Sequence, residues 1–562
     1  MNRSCVRLLA VAVASCVAVS ARAQAPAIAS MEWSSPVVGE LLADTDGDGV
    51  SELLVLHRDG LLRRLALRSG DAASLVDTGS MLLRDPLHSL VACRDALPVP
   101  GEEILVMEPR GAFVLAWPDA GSTAPKETML NRRARCSIRV GAPQWSPFAQ
   151  DLNGDGLLDL LAPSLAGCTP YLQSRAAGEP AFAAMPPLPL PVGVSAQRGG
   201  PSLDEDHQGS VVVPRVEAED LNGDERPDLL TRVDKKRRFQ LQNADGSFSA
   251  AIEVDLAQFE DSTTKAEVAL GSTAVLGDEQ QIQRGDIDGD TIPDFVIAHR
   301  RKIWTFVSSK QGPQFEKART QAVADDVTGM MLVDLDDDAR SDLLAFQVQL
   351  PSVGALLLGL VKSIDIDVRA VGYRSGGDGF EPKPAWRRTV TLRIPSILSL
   401  LSRQEEIVQR FAEILEKARP VVRGAFTADG ARDLAMVDES GANLQVFTQA
   451  SAPPDLESKS GRRMLRRLLF EDPDPVFDLD RIFSLLSGAI DQRTNRLQGD
   501  GKAQRTSPLR DPQKWRLVSL LAGNLDGEAL DEVVAVYESI EESLDAVSRR
   551  GVDVLKLQAD PR

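Results

Sequence analysis

The chain has 562 residues, 43% hydrophobic, 26% charged and 5% aromatic, a globular composition that excludes wholesale disorder. Asp plus Glu outnumber Lys plus Arg by 82 to 63, a net charge of −19. So acidic a surface repels phosphate, which argues against nucleic acid and anionic lipid as partners and suits cations.

Residues 1–23 read as an export signal. Arg3 and Arg7 form the positive start, Leu8 to Val19 the apolar run, and Ala21-Arg22-Ala23 a small-x-small cleavage site before Gln24. That run is too short for a hydrocarbon core that needs roughly 20 residues. Lipoprotein processing is the alternative, because Val13-Ala14-Ser15-Cys16 resembles a lipobox with Cys16 as the lipid anchor. No later run is long and apolar enough to span, so no transmembrane segment is expected. The mature chain, 24–562, is expected outside the cytoplasm, in the periplasm or the extracellular space. It keeps Cys93, Cys136 and Cys168. An oxidising compartment permits one disulfide, and Cys136 with Cys168 is the expected pair, because Cys93 falls in a strand-like apolar stretch. Buried unpaired thiols are the alternative.

One acidic pattern then recurs along the chain. It reads DTDGDGVSELLVL at 44–56, DLNGDGLLDLL at 151–161, DLNGDERPDLL at 220–230, DIDGDTIPDFVI at 286–297 and DLDDDARSDLL at 334–344. Oxygen side chains fall at positions 1, 3, 5 and 9, and an apolar run starts at position 10. These candidate ligands are Asp44, Asp46, Asp48 and Glu52; Asp151, Asn153, Asp155 and Asp159; Asp220, Asn222, Asp224 and Asp228; Asp286, Asp288, Asp290 and Asp294; Asp334, Asp336, Asp338 and Asp342. Weaker copies are NLDGEALDEVV at 524–534, with Asn524, Asp526, Glu528 and Glu532, and segments near 425 and 95 that have lost ligands.

Alternate oxygens in a tight turn converge on one point, and Ca2+ takes six to eight hard oxygens in adaptable geometry. Mg2+ demands a stricter octahedron and keeps more water, so calcium is the expected ion. Gly47, Gly154, Gly223 and Gly289 at position 4 permit the reversal that a Cβ resists. EF-hands are not expected, because position 12 carries Val55, Ala162, Thr231, Ile297 and Ala345 instead of Glu. The segments after the loops read as strand, short turn, strand, and successive loop starts lie 48 to 99 residues apart.

These D-x-[DN]-G-D-x-x-x-D loops with their following strands resemble the FG-GAP/VCBS repeats of secreted bacterial proteins, related to the blades of integrin α-subunit heads. The resemblance covers most of 35–350 and, more patchily, 420–450 and 515–557. It implies an all-β fold, a calcium-binding β-propeller with the ion in the hairpin loops of its blades. Eight loop-like segments favour eight blades, with seven the alternative. Ala29–Trp33 is expected to close the ring by joining the sheet formed by 516–524, 532–537 and 552–557. Two stretches in the C-terminal third, about 395–420 and 460–492, carry helical spacing and are expected as helical insertions. The second contains the basic cluster Arg462-Arg463-Arg466-Arg467.

Signals of catalysis are sparse, and no catalytic residue is assigned. His57, His88, His207 and His299 are scattered, and HExxH, GxSxG and phosphate-binding loops are missing from the sequence. Arg284-Gly285-Asp286 spells an integrin-recognition tripeptide, but Asp286 opens a metal loop. The leading expectation is a non-enzymatic exported propeller that binds a protein or glycan. Its rivals are a propeller enzyme, such as a polysaccharide lyase or hydrolase, and an outer-membrane lipoprotein scaffold.

Overall fold

Strands whose two faces are both covered read as unbroken apolar runs, and this chain has one such run after each acidic loop. In the computed structural model, Glu52–His57 is buried at all six residues and Asp433–Val437 at all five. The structure describes most of 27–557. Residues 1–26, 198–207, 262–279, 350–361, most of 397–419 and of 448–504, 541–548, 558–562 and some shorter stretches lie outside the described residues. The expected export signal and Cys16 lie there.

The described chain is a β-propeller. Successive antiparallel sheets take their strands in chain order: 37–82, 90–131 with an added strand Gln144–Trp145, 149–184, 217–255, then one seven-stranded sheet from 281 to 394 with 476–478, and 421–508. The large sheet holds two units. Its strands Asp294–Phe306 and Arg319–Val333 break register at Arg300/Lys302 and Val327/Gly329, so 281–322 and 327–394 each carry one acidic loop. The eighth unit is built from both ends of the chain, in the order Ala29–Trp33, Arg550–Leu555, Glu532–Ser539, Trp515–Gly523. Ala29 pairs with Val554, Met31 with Val552 and Trp33 with Arg550, which is the closure expected from the sequence.

Period-2 alternation along each middle strand feeds two different cores. Leu53 and Val55 pack with Val534, Val536 and Val554 of the closing unit, while Leu54 and Leu56 pack with Val91, Ile104 and Phe113 of the next. Phe295 and Ile297 face Phe239 and Val254 on one side, while Val296 and Ala298 face Leu343 and Val371 on the other. Ala435 and Val437 meet Val533 and Tyr537. Burying one such side chain contributes roughly 1.5–3 kcal/mol, so these shared clusters hold sheet to sheet. Polar clamps add to the closing junction. Arg510 donates to Glu32 at 2.8 Å and to Asp553 at 2.7 Å, and Arg550 meets Glu40 at 3.2 Å.

The helical insertions expected at 395–420 and 460–492 fall largely outside the described residues; within the first, the Arg403 N–H donates to the Ser399 carbonyl at 3.0 Å, one turn of helical spacing. Residues Val476–Asp478, within the second stretch, form a strand parallel to Trp386–Ile394, because an open sheet edge there offers backbone partners. The Cys136–Cys168 disulfide is not formed. Cys93, Cys136 and Cys168 are all unpaired and buried, the last two in one apolar cluster. Burial pushes the Cys168 thiol up to about 12, which leaves it unreactive.

Candidate metal centres

Each acidic loop is organised by its first residue. The position-1 carboxylate accepts from the N–H at position 4 at 2.6–2.7 Å in all five strong loops. Its other oxygen accepts from the N–H at position 6 at 2.7–3.2 Å. Reaching both donors forces positive φ at positions 4 and 6. Gly47 (74°) and Gly49 (84°) adopt it without strain, whereas Asp337 (65°), Glu225 (66°), Thr291 (72°) and Ala339 (68°) adopt it at a steric cost that glycine does not carry. The sequence flagged position 4 through its glycines and missed position 6, where mixed residue types hide the conformation.

Position 9 is buried. The carboxylates of Asp159, Asp228, Asp294 and Asp342 each accept two backbone N–H groups at 2.7–2.9 Å. One donor is loop position 2 and the other lies beyond the following strand, so the residue staples the loop to its sheet. Burial raises these groups, Asp159 to about 7 and both Asp294 and Asp342 to about 6. Glu52 accepts from the N–H and hydroxyl of Thr45 at 2.9 and 2.7 Å.

Positions 1, 3 and 5 bring carboxylates together at the outer turn. Asp44, Asp46 and Asp48 form one group and Asp286, Asp288 and Asp290 another; Asp334 and Asp336 gather with Asp342. In each group the ligand oxygens lie within 4.8 Å of one another. Oxygens around calcium at roughly 2.3–2.6 Å are at most about 5 Å apart, so all three groups fit a single ion. The Oδ1 of Asp336 is buried without a hydrogen-bond partner, as a carboxylate shaped for a cation would be. Burial and the neighbouring Asp290 and Asp286 raise Asp288 above the usual carboxylate range. The loops at 151 and 220 carry Asn153 and Asn222 at position 3, whose amides donate to Asp155 and Asp224 at 3.0 and 2.9 Å.

Side-chain cations reach some loops. Arg374 meets Asp336 at 3.0 Å, Arg462 lies 3.6 Å from Asp334, and Arg226 pairs with Asp224. Arg466 donates to the Leu335 carbonyl, so two members of the basic cluster face the loop at 334. Arg64 stands 4.0 Å from Asp46. Among the described residues no Lys or Arg pairs with Asp286, Asp288 or Asp290.

The loops also interlock. The N–H at position 8 donates to the position-1 carbonyl of the preceding unit: Ser51 to Asn524 at 2.6 Å, Glu102 to Asp44 at 2.7 Å, Ser341 to Asp286 at 2.6 Å and Asp531 to Ala425 at 2.9 Å. Pro227 and Pro293 have no N–H to give, and there apolar packing takes over, with Ile292 against Gly223.

A separate cavity of about 890 Å³ opens where the first strands of four successive units converge. Arg94, Gln150, Glu217, Glu219 and Arg284 line it. Arg284 pairs with Glu219 and lies 3.7 Å from Glu217, which also meets Arg232 at 2.7 Å. Arg284 of the tripeptide at 284–286 is thus engaged by carboxylates of the preceding unit.

No family model and no curated protein matches this chain. Among solved structures it is similar to an Agrocybe aegerita lectin that recognises non-reducing terminal N-acetylglucosamine, at 14% identity over 65% of this chain and 80% of that one, with a TM-score of 0.25. It is also similar to AofleA from Arthrobotrys oligospora, at 10% identity over 66% and 93%, TM-score 0.20. BBS1N in complex with ARL6DN matches at 10% identity over 93% of each chain, TM-score 0.21.

Proposed function

We propose that this chain is an exported, calcium-stabilised propeller of the FG-GAP/VCBS type that serves as a binding protein, with a glycan as its ligand class. The observation that carries the binding role is the polar cavity at the convergence of the inner strands. Its volume of about 890 Å³ lies within the range of ligand sites, about 300–1,000 Å³. Its carboxylates accept and its guanidinium groups donate, and a sugar hydroxyl does both, so Glu217, Glu219 and Arg284 suit a polyhydroxylated ligand. Calcium in the loops supplies rigidity: each ion neutralises carboxylates that otherwise repel, in loops tied to their neighbours. The ion is structural in this reading, and recognition falls to the cavity.

Screening the calcium-loaded mature protein against an oligosaccharide array tests the reading. Binding is expected, and Glu219→Gln with Arg284→Ala should abolish it while leaving the melting temperature within a few degrees. An array without binding, or binding indifferent to that double variant, contradicts it. Mass spectrometry of the mature N-terminus tests export, with Gln24 expected first; a lipidated Cys16 would instead make the chain a tethered scaffold.

A further inference from the structure

The loop that completes the ring brings its own cation. Lys556 follows directly on the last strand, Arg550–Leu555. Its Nζ pairs with Asp526 and lies 2.8 Å from Glu528, the residues at positions 3 and 5, which in the loops at 44 and 286 gather with position 1. This is not a solvated surface pair: the Asp526 side chain is 2% exposed and that of Lys556 18%. The rest of the loop is altered to match. Position 1 is Asn524, whose single side-chain oxygen accepts from Gly527 at 2.9 Å. Gly527 is the one residue of this loop with positive φ, since position 6 has lost its acceptor. Counted over positions 1, 3, 5 and 9, three carboxylates and one ammonium leave a net charge of −2. Four carboxylates and a divalent cation, the case of the loops at 44 and 286, leave the same.

We propose that the Lys556 ammonium is a tethered substitute for the divalent ion in the ring-closing unit. The junction between the two chain ends is therefore held without calcium, while the loops at 44 and 286 depend on it. An ammonium provides three donors at fixed stoichiometry and cannot be chelated away, and its strand is the one that pairs with Ala29–Trp33. The contrast with the other loops rests on the calcium reading above; the role of Lys556 does not.

Hydrogen exchange on the mature chain, read by mass spectrometry in chelator and in millimolar calcium, tests this. In the wild type, chelator should leave amides of Trp515–Gly523 and Glu532–Ser539 protected while those of Glu52–His57 lose protection. Lys556→Met and Lys556→Gln should lose protection of Trp515–Gly523 in chelator, regain it in calcium, and bind one more calcium per molecule in native mass spectrometry. Lys556→Arg should behave as wild type. Neutral variants that stay protected in chelator overturn the proposal, because Lys556 then contributes nothing there. Neutral variants that calcium does not restore, or restores without an extra ion, overturn it too, since the ammonium and the ion are then not interchangeable. If chelator changes nothing in the wild type, the calcium reading of the other loops fails, and the neutral variants still decide the part played by Lys556.

Discussion

Within one loop the acidic side chains divide into two kinds of work. Asp294 is fully buried and gives both oxygens to backbone donors, Ile287 and Ser308. Asn at that position offers one oxygen and leaves a buried N–H unpaired, which costs about 1–3 kcal/mol. Asp294→Asn should therefore destabilise by that amount in calcium and in chelator alike, as measured by urea denaturation. Asp288 crowds against Asp286 and Asp290 instead. Asp288→Asn should lower stability in calcium only, and in chelator should be neutral or stabilising because it removes a repelled charge. Equal losses for Asp288→Asn in both conditions would show that no ion is involved. A second residue-scale effect comes from His57, which is buried, hydrogen-bonded to Ser35 at 2.9 Å and set 6.4 Å from the Trp33 ring. Burial, with Arg63 behind it, holds its pKa below the usual value near 6.5. The unfolded chain takes a proton near that value and the folded chain does not, so this contribution is complete above about pH 6.5 and shrinks as pH falls below it. His57→Phe should fall less in melting temperature than wild type between about pH 7 and pH 5; parallel curves would contradict this.

At the scale of the strand, closure is the most consequential contact. Ala29 and Trp33 are buried in the cluster that joins the closing unit to the first full sheet. Trp33→Ala should cost about 3–5 kcal/mol, the usual range for a buried aromatic, and deletion of 27–33 should cost more. Unchanged melting after deletion would mean that the ring is held elsewhere. This pairing was legible in the sequence, because Ala29–Trp33 alternates and the C-terminal runs lack one partner. The strands after each loop were legible for a similar reason, as runs such as Leu53–Leu56 have no other stable environment. The loops were legible at positions 1, 3 and 5, where Asp and Asn stand at fixed spacing. At position 9 the sequence shows the carboxylate but not its second task as a staple, since it does not reveal that the residues after the next strand return to donate to it. The same holds for Lys556: its contact with Asp526 spans 30 residues and depends on the order of strands in the sheet. The expected cysteine pair is not formed; both thiols are buried and unpaired in one apolar cluster, the alternative that the sequence left open.

Across the whole molecule the recurring acidic loops contribute to the net charge of −19. Loops that carry up to five carboxylates are joined from unit to unit by hydrogen bonds from Ser51, Glu102, Ser341 and Asp531, so neutralising one loop is expected to steady its neighbours. At tenfold saturation each filled loop contributes about 1.4 kcal/mol, and several together approach the net stability of a domain, about 5–15 kcal/mol. The central claim is that the acidic loops are cation cages, and calcium titration of the chelator-stripped mature chain by calorimetry, followed by melting with and without chelator, tests it most directly. Uptake of at least three ions per molecule is predicted, one for each group of clustered carboxylates at 44, 286 and 334, with a melting temperature that rises with calcium. No heat of binding and identical melting curves in calcium and in chelator would contradict it.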